Sequence, residues 1–222
     1  MENKGKKWTD EQDSELYSLI HQNLHISEIS KIFKRTEYAI ELRIKRLKIQ
    51  KIIQERQIKK LVHFTDVWNS FFIGKYGILS IEELKKQNLK YFANDKERFD
   101  NMPNFISLSI TNINSYLLKS FSQRNQRTWI RFDIDPNILL RCDNFFFYTN
   151  AASSLFPNNK DSEELSTAAA FSKMFDLEVP TSQGFARRAN QNPNETTCPQ
   201  AEILIKKRIT SEYIIGWEPL II

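Results

Sequence analysis

The sequence predicts an α+β protein: three short basic helices, then a larger domain of strands and helices built on a mostly antiparallel sheet. Three observations lead there. Over residues 8–48 apolar positions such as Leu16, Leu19 and Ile20 recur at helical spacing. From residue 61 short alternating runs such as Phe105-Ile106-Ser107-Leu108-Ser109-Ile110 read as strands between helical stretches. The charge divides at the same place. Residues 1–62 hold 14 Lys+Arg against 9 Asp+Glu, and residues 63–222 hold 18 of each, so the whole net charge of +5 lies in the first part. The expected organisation is a helical domain over 1–48, a helical linker over 49–60 and a second domain over 61–222.

Composition narrows the class. With 41% apolar residues in 222, the chain has enough for a packed core. No run approaches the ~18 continuous apolar residues of a membrane span. The polar opening lacks the apolar stretch of a signal peptide. Cys142 and Cys198 are too few for a disulfide framework or a zinc site. The expectation is a cytoplasmic protein without membrane contact or metal.

In the first domain Thr9-Asp10-Glu11-Gln12 forms a capping box. Ser27 is the expected cap of a second helix carrying Ile29, Ile32 and Phe33. Arg35 falls in the turn, and Thr36 caps a third helix that buries Ala39, Ile40 and Leu47 and exposes Arg43, Lys45, Arg46 and Lys48. Short helix, tight turn and basic helix together resemble SANT/Myb-like helix-turn-helix domains. That resemblance implies duplex DNA contact through Arg43, Lys45, Arg46 and Lys48; a small bundle with a solvated basic face fits the same residues.

In the second domain residues 61–64 read as a strand, and 67–76 as a helix stopped by Gly77. Ser80-Ile81-Glu82-Glu83 is another capping box, 105–110 a strand and 112–121 a helix. Residues 128–134 form a strand with Ile130, Phe132 and Ile134 on one face. Asp135-Pro136 starts a short helix. Phe145-Phe146-Phe147-Tyr148 reads as a buried strand, 161–175 as one helix, 176–199 as an irregular loop and 200–207 as a last strand.

Four features stand apart from ordinary core. Glu202 sits in the apolar stretch Ala201-Glu202-Ile203-Leu204-Ile205, where a carboxylate is costly unless paired or lining a cleft. An edge-strand glutamate in water gives the same pattern. Ser107 and Ser109 share one face of their strand. Any half-solvated strand has such a face. His63 lies in an apolar strand, where a lone histidine is more often a satisfied core residue, and Thr149-Asn150-Ala151-Ala152-Ser153 follows the aromatic strand, as a tight turn alone would require. The 24-residue loop ending at Gln200 carries Arg187 and Arg188 and runs straight into Glu202, which suggests an anionic substrate.

The ordered set His63-Phe64-Thr65-Asp66-Val67-Trp68-Asn69, Glu97-Arg98-Phe99-Asp100, Ile106 to Ile110, Trp129 to Pro136, Thr149 to Ser153 and Thr196-Thr197-Cys198-Pro199-Gln200-Ala201-Glu202 resembles the DarT family. These are bacterial toxins that attach ADP-ribose from NAD to bases of single-stranded DNA. The resemblance implies an ADP-ribosyltransferase-like split antiparallel sheet with NAD, as substrate, in its cleft. Glu202 would be the catalytic glutamate, and Arg98 would serve catalysis and NAD binding. His63, Thr65, Asn69, Ser107 and Ser109 would bind NAD, while Gln200, Asn150, Arg187 and Arg188 would meet the acceptor. The resemblance implies single-stranded DNA and a macrodomain antitoxin as partners, and leaves the modified base open. An ADP-ribosyltransferase acting on RNA or protein, and a DNA-binding regulator with a non-catalytic ligand domain, are the alternatives.

Overall fold

The computed structural model describes residues 2–3, 5–93, 101–124, 127–156 and 162–221. The chain divides into two compact units, 1–51 and 52–222.

The first unit contains α1 (Asp10–His21), α2 (Ile26–Ile32) and most of α3 (Glu37–Glu55). Thr9 and Gln12 close the expected capping box on α1. The cap of α2 differs from expectation. His25, not Ser27, is extended there and accepts from the Ser27 N–H, while the Glu28 carboxylate reaches back to the His25 N–H at 3.1 Å. Histidine is an unusual cap, and residue type alone favours Ser27. Leu16, Ile29, Phe33 and Ile40 form the buried core, with Trp8 packed on it. Arg35 is a structural clamp: its guanidinium donates to the carbonyls of Asn3, Lys6 and Lys7 and sits 4.3 Å from the Trp8 ring centre. Arg43 also departs from the expected exposed face. Its guanidinium forms a two-pronged ion pair with Asp13 and is half-buried, so its charge is spent inside the unit. Lys48 is exposed, and Lys45 and Arg46 are half-buried.

The second unit is built on β1 (Leu61–Asp66), α4 (Ser70–Tyr76), β2 (Ile78–Leu79), α5 (Ile81–Lys86), β3 (Phe105–Ile110), α6 (Ser115–Arg124), β4 (Trp129–Ile134) and β5 (Asn144–Phe147). It continues through α7 (Ala168–Lys173), β6 (Glu178–Thr181), β7 (Gly184–Arg187), β8 (Glu202–Lys206), β9 (Arg208–Ile209) and β10 (Ile214–Leu220). Six strands form one sheet in the order β10-β4-β1-β3-β8-β5, and every neighbouring pair is antiparallel. This is the mixed helix-and-sheet architecture expected from the sequence.

The sheet is split at its centre. β4 pairs with all six residues of β1, from Leu61↔Ile134 to Asp66↔Trp129. β3 pairs with β1 only at Leu61↔Ile110 and Val62↔Ser109. Past Val62 the two strands no longer exchange ladder bonds, and a cleft opens there. Each half carries its own aromatic core. Trp129, Phe64 and Phe121 pack with Leu118 on one side. Phe105, Phe145, Phe147 and Phe156 pack with Leu204 on the other. Burying each such side chain contributes about 1.5–3 kcal/mol, which fixes both walls.

Gly77 ends α4 with φ +74°, as its position after the helix suggests. A Cβ there would lie 2.1 Å from the Ile209 carbonyl oxygen, so only glycine lets β2 pair with β9. Residues expected as one helix over 161–175 behave differently. Asp161 lies outside the described residues. A 3-10 turn, Glu163–Ser166, ends at Thr167, which is extended and caps α7 by accepting from the Ala170 N–H. The segment expected as a loop over 176–199 contains the β6–β7 hairpin. Pro180 inside a four-residue strand masked it, because proline removes a ladder donor.

Candidate active site

Glu202 opens β8, level with Phe147 at the end of β5. It is only 6% exposed, and its Oε2 accepts the Ala151 N–H at 2.9 Å. The turn after β5 aims that N–H. The Asn150 Oδ1 accepts from Ala152 N at 2.7 Å, and its carbonyl accepts from Ser153 N at 2.9 Å. Ala151 is fully buried, so a larger side chain has no room. An N–H bond to an ionised acceptor contributes about 1.5–3 kcal/mol, which offsets part of the cost of burying the carboxylate. The edge-strand-in-water alternative does not describe Glu202.

The cleft between the sheet halves has a volume of about 300 Å³ and reaches this carboxylate. His63, Thr65, Asn69, Ser107, Ser109, Asn150 and Glu202 all lie on its wall. His63 bridges the split. Its Nδ1 lies 3.0 Å from the Ser107 carbonyl oxygen, which can only accept, so Nδ1 carries the hydrogen. Asn69 is a brace: Nδ2 donates to Thr65 Oγ1 (2.8 Å) and to the Phe92 carbonyl (2.9 Å), and Oδ1 accepts from Phe92 N (2.9 Å). It holds residues 90–93 against the cleft. Arg127 supports the same segment by donating to the Ala93 carbonyl at 3.2 Å.

Other expected site residues fall elsewhere. Arg98 lies outside the described residues, as does the stretch 97–100. Gln200 is half-buried, ahead of β8 and outside the cleft lining. Arg187 is ion-paired with Glu178 across the hairpin. Arg188 donates to the carbonyls of Asn192 and Glu195 and so fastens its own loop. Partial burial, with Arg56 nearby, holds the Arg188 pKa below the ordinary arginine value. Sequence shows a basic loop but not that both charges have internal partners. Thr111 Oγ1 donates to the Asn194 carbonyl and Asn112 to Glu195, both at 2.8 Å, which pins this loop to the end of β3. Trp129 is fully buried, whereas Phe185 projects from the hairpin.

Sequence reasoning missed Lys90 and Arg124, the lysine and arginine on the cleft wall among the described residues. It also missed Asn114 on the same wall. The face Asn114, Leu117, Phe121, Arg124 recurs every three or four residues, a helical signal that could have been read as a cleft wall. Among the described residues no group of His, Cys, Asp and Glu is arranged to hold a metal ion. None of their helices is long and apolar enough to cross a membrane.

A family model described as "ssDNA thymidine ADP-ribosyltransferase, DarT" matches residues 62–216. The match leaves out the N-terminal helices. No curated protein matches the sequence. Among solved structures, Thermosipho africanus DarTG in complex with ADP-ribose aligns with a TM-score of 0.42 and 16% identity. The alignment covers 72% of this chain and 43% of that one, so the chain spans less than half the length of that relative.

Proposed function

The chain belongs to the DarT family of single-stranded-DNA thymidine ADP-ribosyltransferases, and from that premise we propose that it transfers ADP-ribose from NAD to a thymine base in single-stranded DNA and releases nicotinamide. One observation carries the reading: a buried carboxylate, Glu202, on the wall of a cleft that also presents His63, Ser107 and Ser109.

The chemistry follows from that geometry. NAD lies in the split. The bond between the ribose anomeric carbon and the nicotinamide nitrogen breaks, and nicotinamide leaves with the electron pair. Positive charge develops on the sugar, as in glycosyl transfer generally. Glu202, held by the Ala151 N–H, stabilises that charge. The ring nitrogen of thymine forms the new bond, and its proton passes to the Glu202 carboxylate. His63, fixed on the Ser107 carbonyl, and Thr65 contact the dinucleotide, with Ser107 and Ser109 beneath it. Asn69 acts through the 90–93 segment. Arg98 grips the pyrophosphate, where a guanidinium suits a two-pronged contact. The base must be unstacked to reach the sugar, which favours single strands. Asn150, on the cleft wall, and Gln200, outside its lining, are assigned to the acceptor, and the exposed Phe185 ring is assigned to stack on it. Arg187 and Arg188 are assigned to shaping the loop rather than to gripping DNA.

Toxin activity, neutralisation by a macrodomain hydrolase and a cytoplasmic site of action extend the same proposal. The N-terminal unit carries the excess positive charge. We assign it salt-sensitive contact with duplex phosphates through Lys45, Arg46 and Lys48. The test is the full chain with labelled NAD and oligonucleotides. Label transferred to single strands containing thymidine, with nicotinamide released, supports the reading. Label transferred only to RNA or protein, or no nicotinamide release from a folded protein, overturns it.

A further inference from the structure

Among the described residues, Asn114 is the buried polar side chain on the cleft wall with a partner for only half of its amide. It is 1% exposed. It caps α6: its Oδ1 accepts from Leu117 N at 3.1 Å, and its carbonyl accepts from Leu118 N at 3.0 Å. An N–H can bond only to the amide's oxygen, which fixes the orientation of the group. Its Nδ2 is therefore the other end, and that atom is buried with no hydrogen-bond partner. Leaving such a donor unsatisfied costs about 1–3 kcal/mol. An alternative cap such as serine or aspartate would avoid the cost.

The approach to Asn114 is held firmly. Thr111, a β-branched residue, has φ +62°, and Asn112 N bonds the Ile110 carbonyl at 2.6 Å. A β-branched residue in that region is a genuine outlier. Thr111 is secured by its own N–H on the Lys60 carbonyl and its hydroxyl on the Asn194 carbonyl. The turn carries the chain from Ser109, on the cleft wall, to Asn114, on the same wall, in five residues.

We infer that Asn114 is a dinucleotide-binding residue whose Nδ2 donates to an oxygen of NAD. The inference rests on the reading of this cleft as the NAD site. NAD would then supply the partner the protein withholds, and α6 would present its Asn114-Leu117-Phe121-Arg124 face along the ligand.

The test is calorimetric titration of the full chain with NAD in the absence of DNA. Asn114→Asp and Asn114→Ser both keep an oxygen for the Leu117 N–H; aspartate has no donor, and the serine hydroxyl is too short to take the place of Nδ2. The expected result is a melting temperature no lower than that of the wild type, since the unsatisfied donor is gone, and an NAD Kd raised about tenfold in each, the loss of one buried hydrogen bond. Wild-type affinity in either folded variant overturns the inference and leaves the cleft reading intact. Melting lowered in both variants, with affinity retained, makes Asn114 a helix cap alone and also overturns it. Failure of the wild-type chain to bind NAD removes the cleft reading and this inference together.

Discussion

Glu202→Gln separates charge from shape at the centre of the site. Glutamine has nearly the same volume, and its Oε1 still accepts the Ala151 N–H that Glu202 accepts at 2.9 Å. What changes is the charge. A hydrogen bond to an ionised group contributes about 1.5–3 kcal/mol and a neutral one about 0.5–1.5. The weaker bond costs about 1 kcal/mol while removal of the buried charge returns part of its desolvation cost, so the melting temperature should stay within about 2–4 °C of the wild type for a unit of this size. Transfer loses far more. Removing one electrostatic contact to transition-state charge costs about 10²–10³ in rate, and removing the proton acceptor costs about 10²–10⁴. The two roles belong to one group, so the losses do not multiply cleanly; the expected fall is about 10³ or more. The assay is single-turnover transfer of labelled ADP-ribose to a thymidine oligonucleotide, with thermal melting of the same sample. A rate within tenfold of the wild type, at a melting temperature close to it, would refute the role given to Glu202.

The remaining predictions concern the cleft and its supports. His63→Ala should raise the KM for NAD about tenfold, because it removes the group fixed on the Ser107 carbonyl; steady-state kinetics checks this, and an unchanged KM contradicts it. Gly77→Ala should cost about 2–3 kcal/mol, since a Cβ at φ +74° would meet the Ile209 oxygen at 2.1 Å; denaturant melting measures it. Hydrogen bonds from Asn192 and Asn112, with Arg188 adjacent, hold the Glu195 pKa below 4.5. The stability it gives its loop is therefore complete above about 4.5 and is lost as pH falls through the lowered folded value. Exchange of the Asn192 amide hydrogen, corrected for its intrinsic pH dependence, should speed up in that range, and Glu195→Gln should abolish the effect.

Local signals were legible in the sequence where one short stretch determines the outcome. The Thr9 capping box, the alternation that buries Ile130, Phe132 and Ile134, and the glycine stop at Gly77 all involve neighbours in sequence. The odd carboxylate at Glu202 was visible for the same reason: it interrupts an apolar run. What sequence could not show was how distant groups spend their charges and hydrogen bonds. Arg43 goes to Asp13, thirty residues away, and Arg188 goes to carbonyls of its own loop. The bonds of Asn69 to Thr65 and the Phe92 backbone likewise depend on tertiary folding. The cleft exists because β1 and β3 part after two paired residues, a register fact between strands over forty residues apart. Asn114 reads as an ordinary cap until its unsatisfied nitrogen is found on the cleft wall.

The most direct measurement is the mass of a single-stranded oligonucleotide carrying one thymidine after incubation with the full chain and NAD. The expected result is a gain of one ADP-ribosyl group on the thymine base, with one nicotinamide released per modified strand and no gain on the same oligonucleotide without thymidine. An unmodified oligonucleotide beside a folded, NAD-binding protein, or an equal gain on the strand lacking thymidine, would contradict it.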